Sequence, residues 1–224
     1  CCVVLKPAEQ TPLTALHIAS LIAEAGVPAG VVNVVPGYGA TTGSAISSHM
    51  RIHKVAFTGS TGVGKLVMQA AGASNCKAIT LELGGKSPCI VFDDAQLDEA
   101  IEISHHAIFF NQGQCCVAGS RTLVQESIYD EFVQKAVARA AHRKVGHPSV
   151  PGVEHGAQVS QRQFDTVMAY IKQGQEEGAV LECGGKRWGK KGYFIEPTTI
   201  LCEDSRYESM VEEIFGPVLS IHIY

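Results

Sequence analysis

The chain has 224 residues, 46% of them hydrophobic and 18% charged, with a net charge of −4 and a pI near 6.1. This is ordinary globular composition for one or two domains. It excludes a disordered chain and a basic nucleic-acid-binding surface, and no apolar run approaches the roughly 18 residues of a membrane helix. Eight cysteines are present; Cys1-Cys2 and Cys115-Cys116 are adjacent and no Cys-x-x-Cys spacing occurs. They read as reduced thiols, with no disulfide framework and no zinc site. The chain begins at Cys1 in an apolar run and closes on Ile221-His222-Ile223-Tyr224, again apolar. It therefore reads as a piece of a longer protein, with any targeting segment outside it.

Residues 2–5 predict a buried strand, and Lys6-Pro7-Ala8-Glu9 the turn after it. Thr11 and Pro12 offer an N-cap and a first-turn proline for a helix to residue 25, stopped by Gly26. Strands follow at 31–35, 54–58 and 78–82, with a short helix at 42–47 and a longer one opened by Gly59-Ser60-Thr61-Gly62 and running to 71. Strands alternating with helices predict a parallel sheet covered on both faces. Gly84-Gly85 reads as a hinge, giving domains at 1–84 and 85–224. Beyond it come strands at 89–92, 122–125, 180–182, 198–201 and 218–221, and helices at 97–110, 128–143 and 161–175. His105 and His106 fall in the first of these helices, without partners spaced for a metal, and read as core-edge or surface residues.

Chemistry concentrates in a few places. Phe110-Asn111-Gln112-Gly113-Gln114-Cys115-Cys116 puts a cysteine in a Gly- and Gln-rich loop after an apolar helix. Such a loop can bring backbone N–H groups to a bound oxygen, and a thiolate attacks carbonyls well; the plain alternative is that both cysteines are packing residues. Glu82, in Leu81-Glu82-Leu83-Gly84-Gly85-Lys86, is either a surface carboxylate at a strand end or a base whose pKa a partly dry pocket would raise. Gly59-Ser60-Thr61-Gly62-Val63-Gly64-Lys65 follows a strand and opens a helix, where phosphates bind. It nearly matches a nucleoside-triphosphate loop, but Leu66 stands where a magnesium-holding Ser or Thr is needed. Gly37-Tyr38-Gly39-Ala40-Thr41-Thr42-Gly43 is one residue too long for the strict dinucleotide fingerprint.

Together, the cysteine loop and the Glu82 segment resemble the aldehyde dehydrogenase superfamily over essentially the whole chain, closest to the NAD-dependent branch acting on retinal and other aliphatic or aromatic aldehydes. The resemblance implies an α/β fold: a Rossmann-like parallel-sheet cofactor domain followed by an α/β catalytic domain, both incomplete. It implies Cys116 as nucleophile, with Cys115 pointing elsewhere, and Glu82 as the base that activates water. It places cofactor contacts at Lys6, Pro7, Ala8, Glu9, Gly39, Gly59, Ser60, Leu83, Gly84, Gln163, Glu213 and Phe215. A carboxylate such as Glu9 beside the adenosine ribose favours NAD over NADP. Thr166 stands where the family often has Lys, and Gly62 and Val211 where close relatives often have polar residues. The family's second oxyanion donor, an Asn, is expected upstream of this chain. The resemblance further implies a small aldehyde substrate, no metal, no nucleic acid or membrane partner, a homodimer or homotetramer, and a cytoplasmic location with the mitochondrial matrix as alternative. A structural protein on the same fold, as some lens crystallins are, is the reading from another class; a phosphate-loop NTPase is the third.

Overall fold

In the computed structural model, which describes residues 1–224, the chain divides into two units, Cys1–Leu83 and Gly84–Tyr224. The division falls one residue before the expected 84/85 boundary. In the first unit, β1 (Val3–Leu5) pairs in parallel with β2 (Val32–Val34), and β3 (Lys54–Thr58) with β4 (Ala78–Glu82). Parallel pairing needs a crossover, and α1 (Leu13–Glu24) and α3 (Thr61–Ala73) supply one each. Between the pairs lie a π turn, Gly39–Gly43, and α2 (Ser44–Ser48).

Three expectations for this unit need correction. The four strands form two separate ladders, not one continuous sheet. The first strand is not buried: Val3, Val4 and Leu5 are 50%, 46% and 46% exposed, because a two-stranded ladder lined by one helix has no second layer to cover it. Thr11 does not cap α1. Its N–H closes a turn on Ala8 O at 3.2 Å, the helix starts at Leu13, and Pro12 occupies the cap position without a side-chain bond. The other end is as expected: Gly26, at φ 82, donates to Ala23 O and stops the helix.

The second unit is one five-stranded sheet in the order β5-β6-β9-β8-β7, formed by β5 (Pro88–Val91), β6 (Arg121–Val124), β7 (Val180–Cys183), β8 (Thr198–Leu201) and β9 (Val218–Ile223). All neighbours are parallel except β7 and β8, which run antiparallel. Period-two alternation along β9 feeds two cores. Leu219 and Ile221 pack with Ile108 and Phe109 of α4 (Leu97–Phe109) and with Phe132 and Ala136 of α5 (Tyr129–Ala141). Val218 packs on the opposite face with Val167 and Ile171 of α6 (Gln161–Glu177) and with Met210 of the short α7 (Glu208–Val211). Helices therefore cover both faces, and Gly178 at φ 108 ends α6.

His105 belongs to the core at 3% exposure, whereas His106, on the next helical position, is exposed. Burial holds His105 down to about 3, helped by Arg139 and Arg143, and holds the fully buried His155 down to about 4, helped by Arg143. Both imidazoles stay neutral in the folded chain and gain a proton only on unfolding below their ordinary 6.5. Stability is then full above pH 6.5 and falls as pH drops toward 4. Urea midpoints of the intact protein should decline over that window, and His155→Phe should flatten the decline.

Candidate active site

The cysteine loop begins where α4 breaks. Asn111 (φ 49, ψ 36), Gln112 (φ 57, ψ 32) and Gly113 (φ 72) form three consecutive left-handed residues. Each non-glycine there costs on the order of 1 kcal/mol, so the turn must be held by its surroundings. Asn111 Nδ2 donates to Gln114 O at 3.0 Å, Gln158 Nε2 to Gln112 O at 3.4 Å, and Val159 N–H to Gln114 Oε1 at 2.9 Å. Gly113 has a second requirement. A Cβ there would lie 2.0 Å from Gly216 O, so only glycine allows the two backbones to meet. The turn sends the two cysteines in different directions. Cys115 packs against the α4–α5 core, while Cys116 is exposed and its N–H donates to no group in the chain.

The partner in that contact is the Glu213-Ile214-Phe215-Gly216 turn. Phe215 is itself left-handed, at φ 55, and exposes 36% of its surface. Gln163, in the first turn of α6, holds it by donating from Nε2 to Ile214 O (3.1 Å) and Phe215 O (2.9 Å). Gln163 thus shapes the Phe215 turn, a role that its place in the sequence alone did not disclose. Glu213 lies against Gly84: a Cβ on that glycine would sit 1.9 Å from Glu213 Oε2. Burial raises the Glu213 pKa, opposed by the Gly85 N–H and the Lys86 ammonium. Glu213 Oε1 and Lys86 Nζ are both buried without a hydrogen-bond partner. Burial lowers Lys86 to about 8. Gly84, Glu213, Phe215, Gly113 and Cys116 are therefore linked by consecutive contacts within one unit.

In the first unit the expected residues gather at the carboxyl ends of strands, where ligands of parallel sheets bind. Lys6 follows β1. It is not the solvated lysine its turn suggests: its side chain is 17% exposed, donates to Pro7 O (2.7 Å) and Gly37 O (3.0 Å), and pairs with Glu9 at 3.6 Å. Pro7 is half-buried and Ala8 exposed in the same turn. Gly59 and Ser60 follow β3. A Cβ on Gly59 would strike the Phe57 ring at 2.5 Å, and Ser60 Oγ accepts from Val63 N–H at 3.4 Å to cap α3, leaving the Thr61 and Gly62 N–H groups without acceptors. Glu82 ends β4 opposite Thr58, and its carbonyl accepts from Gly59 N–H at 3.1 Å. Its side chain is exposed, so the partly dry surroundings expected for it are not provided here. Leu83 packs on Gly64, where a Cβ would lie 2.8 Å from it. Gly39 opens the π turn, and a Cβ there would meet nothing within 4 Å.

Sequence reasoning passed over Lys86 and gave Gly113 no role of its own. A lysine directly after Gly84-Gly85 was the available signal for the first; the close contact behind the second involves residues far apart in the chain and leaves none. Two outcomes follow. Gly113→Ala combines a left-handed alanine with a collision against backbone, and should cost about 3 kcal/mol or more in thermal or urea unfolding. For Lys86, the folded pKa near 8 lies below the ordinary 10.5, so the fold favours the neutral amine. Below pH 8 the penalty is complete; stability should rise, by on the order of 3 kcal/mol in all, as pH climbs from 8 to 10.5. Lys86→Met should abolish that rise in unfolding measured across the same range.

Comparison with known proteins places this geometry. The model of the aldehyde dehydrogenase family matches residues 1–224. Aldehyde dehydrogenase 1A1 from Mus musculus and from Homo sapiens are each 61% identical over 219 residues, covering 98% of this chain and 44% of the relative. The chain thus spans less than half the length of the curated relatives it matches. An aldehyde dehydrogenase from Bacillus cereus, solved in complex with NAD+, superposes with a TM-score of 0.98 at 46% identity, over 100% of this chain and 45% of that one. Betaine aldehyde dehydrogenase from Staphylococcus aureus, also with NAD+, gives 0.96 at 38% identity, over 100% of this chain and 45% of that one. With a Rossmann-like first unit and the cysteine loop of its second, the chain belongs to the aldehyde dehydrogenase family.

Proposed function

We propose that the protein carrying this chain oxidises an aldehyde to a carboxylic acid with NAD, using Cys116 as nucleophile and Glu82 as general base. The observation that carries the reading is the cysteine loop: an exposed Cys116 thiol and an unengaged Cys116 N–H, on a left-handed turn packed against the Phe215 turn. Cys116 thiolate attacks the aldehyde carbon and forms a thiohemiacetal, whose oxyanion takes a hydrogen bond from the Cys116 N–H. A bound NAD supplies the hydride acceptor. The resulting thioester on Cys116 is hydrolysed by a water from which Glu82 removes a proton.

The residues present fit that cofactor. Two free N–H groups at the start of α3, beside Gly59 and Ser60, suit a pyrophosphate. Lys6 and Glu9, with Pro7 and Ala8 in the same turn, suit the adenosine ribose. The unpartnered Glu213 Oε1 suits a ribose hydroxyl, and the exposed Phe215 ring a nicotinamide face. Gln163 serves by holding Phe215, Gly84 by admitting Glu213, and Gly39 and Leu83 complete the set. Relatives solved with NAD+ support the same cofactor here. The substrate class is that of the retinal and aliphatic branch. On this reading the protein acts without a resident metal or a nucleic-acid or membrane partner, as a homodimer or homotetramer in the cytoplasm, with the mitochondrial matrix as the alternative. No helix is long and apolar enough to cross a membrane.

The test is NADH formation by the intact protein with a panel of aldehydes, beside Cys116→Ser and Glu82→Gln. Turnover should be lost in Cys116→Ser. Glu82→Gln should keep an initial NADH burst while its steady state falls, by about a hundredfold or more. An unchanged steady state would remove Glu82 from the mechanism.

A further inference from the structure

The left-handed turn ahead of Cys116 is held from two sides, and one side chain outside the proposed site ties both together. Arg143 lies just past α5, its N–H bonded to Ala140 O, and its side chain is 9% exposed. One guanidinium nitrogen, Nη2, donates to Phe109 O at 3.1 Å and to Glu154 O at 2.7 Å. The other, Nη1, lies 3.0 Å from His105 Nε2 and 3.8 Å from the Glu154 carboxylate. Phe109 is the last residue of α4, immediately before the turn begins. Glu154 opens the strap 154–159, which runs beneath the loop: Gln158 holds Gln112 O and Val159 holds Gln114. Gly146 N–H and Tyr193 O anchor that strap from behind, through His155 O and Gln158 N–H. Arg143 thus joins the entry of the nucleophile loop to its floor.

We infer that Arg143 is a positioning residue for Cys116, acting through Phe109 O and the 154–159 strap. The inference rests on the reading of Cys116 as nucleophile. The turn is intrinsically unfavourable at Asn111 and Gln112, so its geometry is set by what grips it. A planar guanidinium can serve carbonyls on two segments and a neutral imidazole at once; a lysine ammonium has neither the fork nor the span. His105 fits this as an acceptor, since burial and the neighbouring arginines keep it neutral. Loosening the brace displaces Cys116 without touching it, and displacements of this kind cost on the order of tenfold to a hundredfold in rate.

The experiment uses the intact protein in four forms: wild type, Arg143→Lys, Arg143→Ala, and Gln114→Leu. The last removes one of the two bonds between loop and strap, that of Val159 N–H to Gln114 Oε1, at a half-buried position, so the question stays open to measurement if Arg143→Lys does not fold. Two readouts are taken on every variant whose unfolding transition remains cooperative. One is hydrogen exchange across residues 110–118, with β6 and α5 as internal reference. The other is the NADH burst rate together with KM for NAD. Exchange in the loop should accelerate at least about tenfold against the reference, and the burst should slow about tenfold or more with KM for NAD within about twofold. Restoration of the burst in Arg143→Ala by millimolar guanidinium would support the same role. Unchanged loop exchange in a folded variant overturns the inference, as does faster exchange with an unchanged burst. If wild type itself forms no NADH, the enzymatic reading fails, and loop exchange alone decides whether Arg143 holds the turn.

Discussion

The contact on which the second unit's site depends is that of two backbones, Gly113 against the carbonyl of Gly216. Neither segment has a regular conformation of its own. Asn111 to Gly113 and Phe215 all sit in the left-handed region, outside any α-helix or strand ladder. Each is held where it is because the other occupies the adjoining space. A side chain on Gly216 would also strike Val167 of α6, so the pair is wedged between the helix and the loop. The position of Cys116 and the position of Phe215 are thus one structural fact, although a hundred residues of sequence, roughly, lie between them.

Glu213 extends the same logic to the start of the unit. Its carboxylate lies where only a glycine could sit at position 84, and its second oxygen is left without a partner beside an equally unpartnered lysine. Leaving buried polar atoms unpaired is costly in an ordinary core. Glu213 and Lys86 are two of several such atoms in the chain, and the Lys86 ammonium is among the charges that act on the Glu213 carboxyl.

Much of the framework was legible in the sequence. The strands at 54–58, 78–82 and 198–201 lie where alternating and β-branched residues put them, and Gly26 and Gly178 stop their helices. Those features depend on residues adjacent in the chain. The failures are non-local. Whether Val3 to Leu5 are covered depends on which strands join their ladder. Cys116 and Glu82 stood out in the sequence through their glycine-rich surroundings. The guanidinium of Arg143 closes an ordinary-looking helix, and nothing in its local sequence distinguishes it from Arg139, which pairs with Glu102 and Glu154 in water.

The strand order carries a kinetic consequence. β9 comes after β5 to β8 in the chain, yet it lies between β6 and β8 and supplies side chains to both cores. A growing chain emerging from the ribosome can assemble β5, β6, α4 and α5 as a local group, and β7 with β8 as another. The two groups have no shared ladder until β9 arrives and threads between them. Gly216 emerges at the same late moment, so the cysteine loop acquires its wall only then. Such long-range closure slows folding and leaves open strand edges exposed while it waits. Until β9 is inserted, the facing edges of β6 and β8 both stay unpaired.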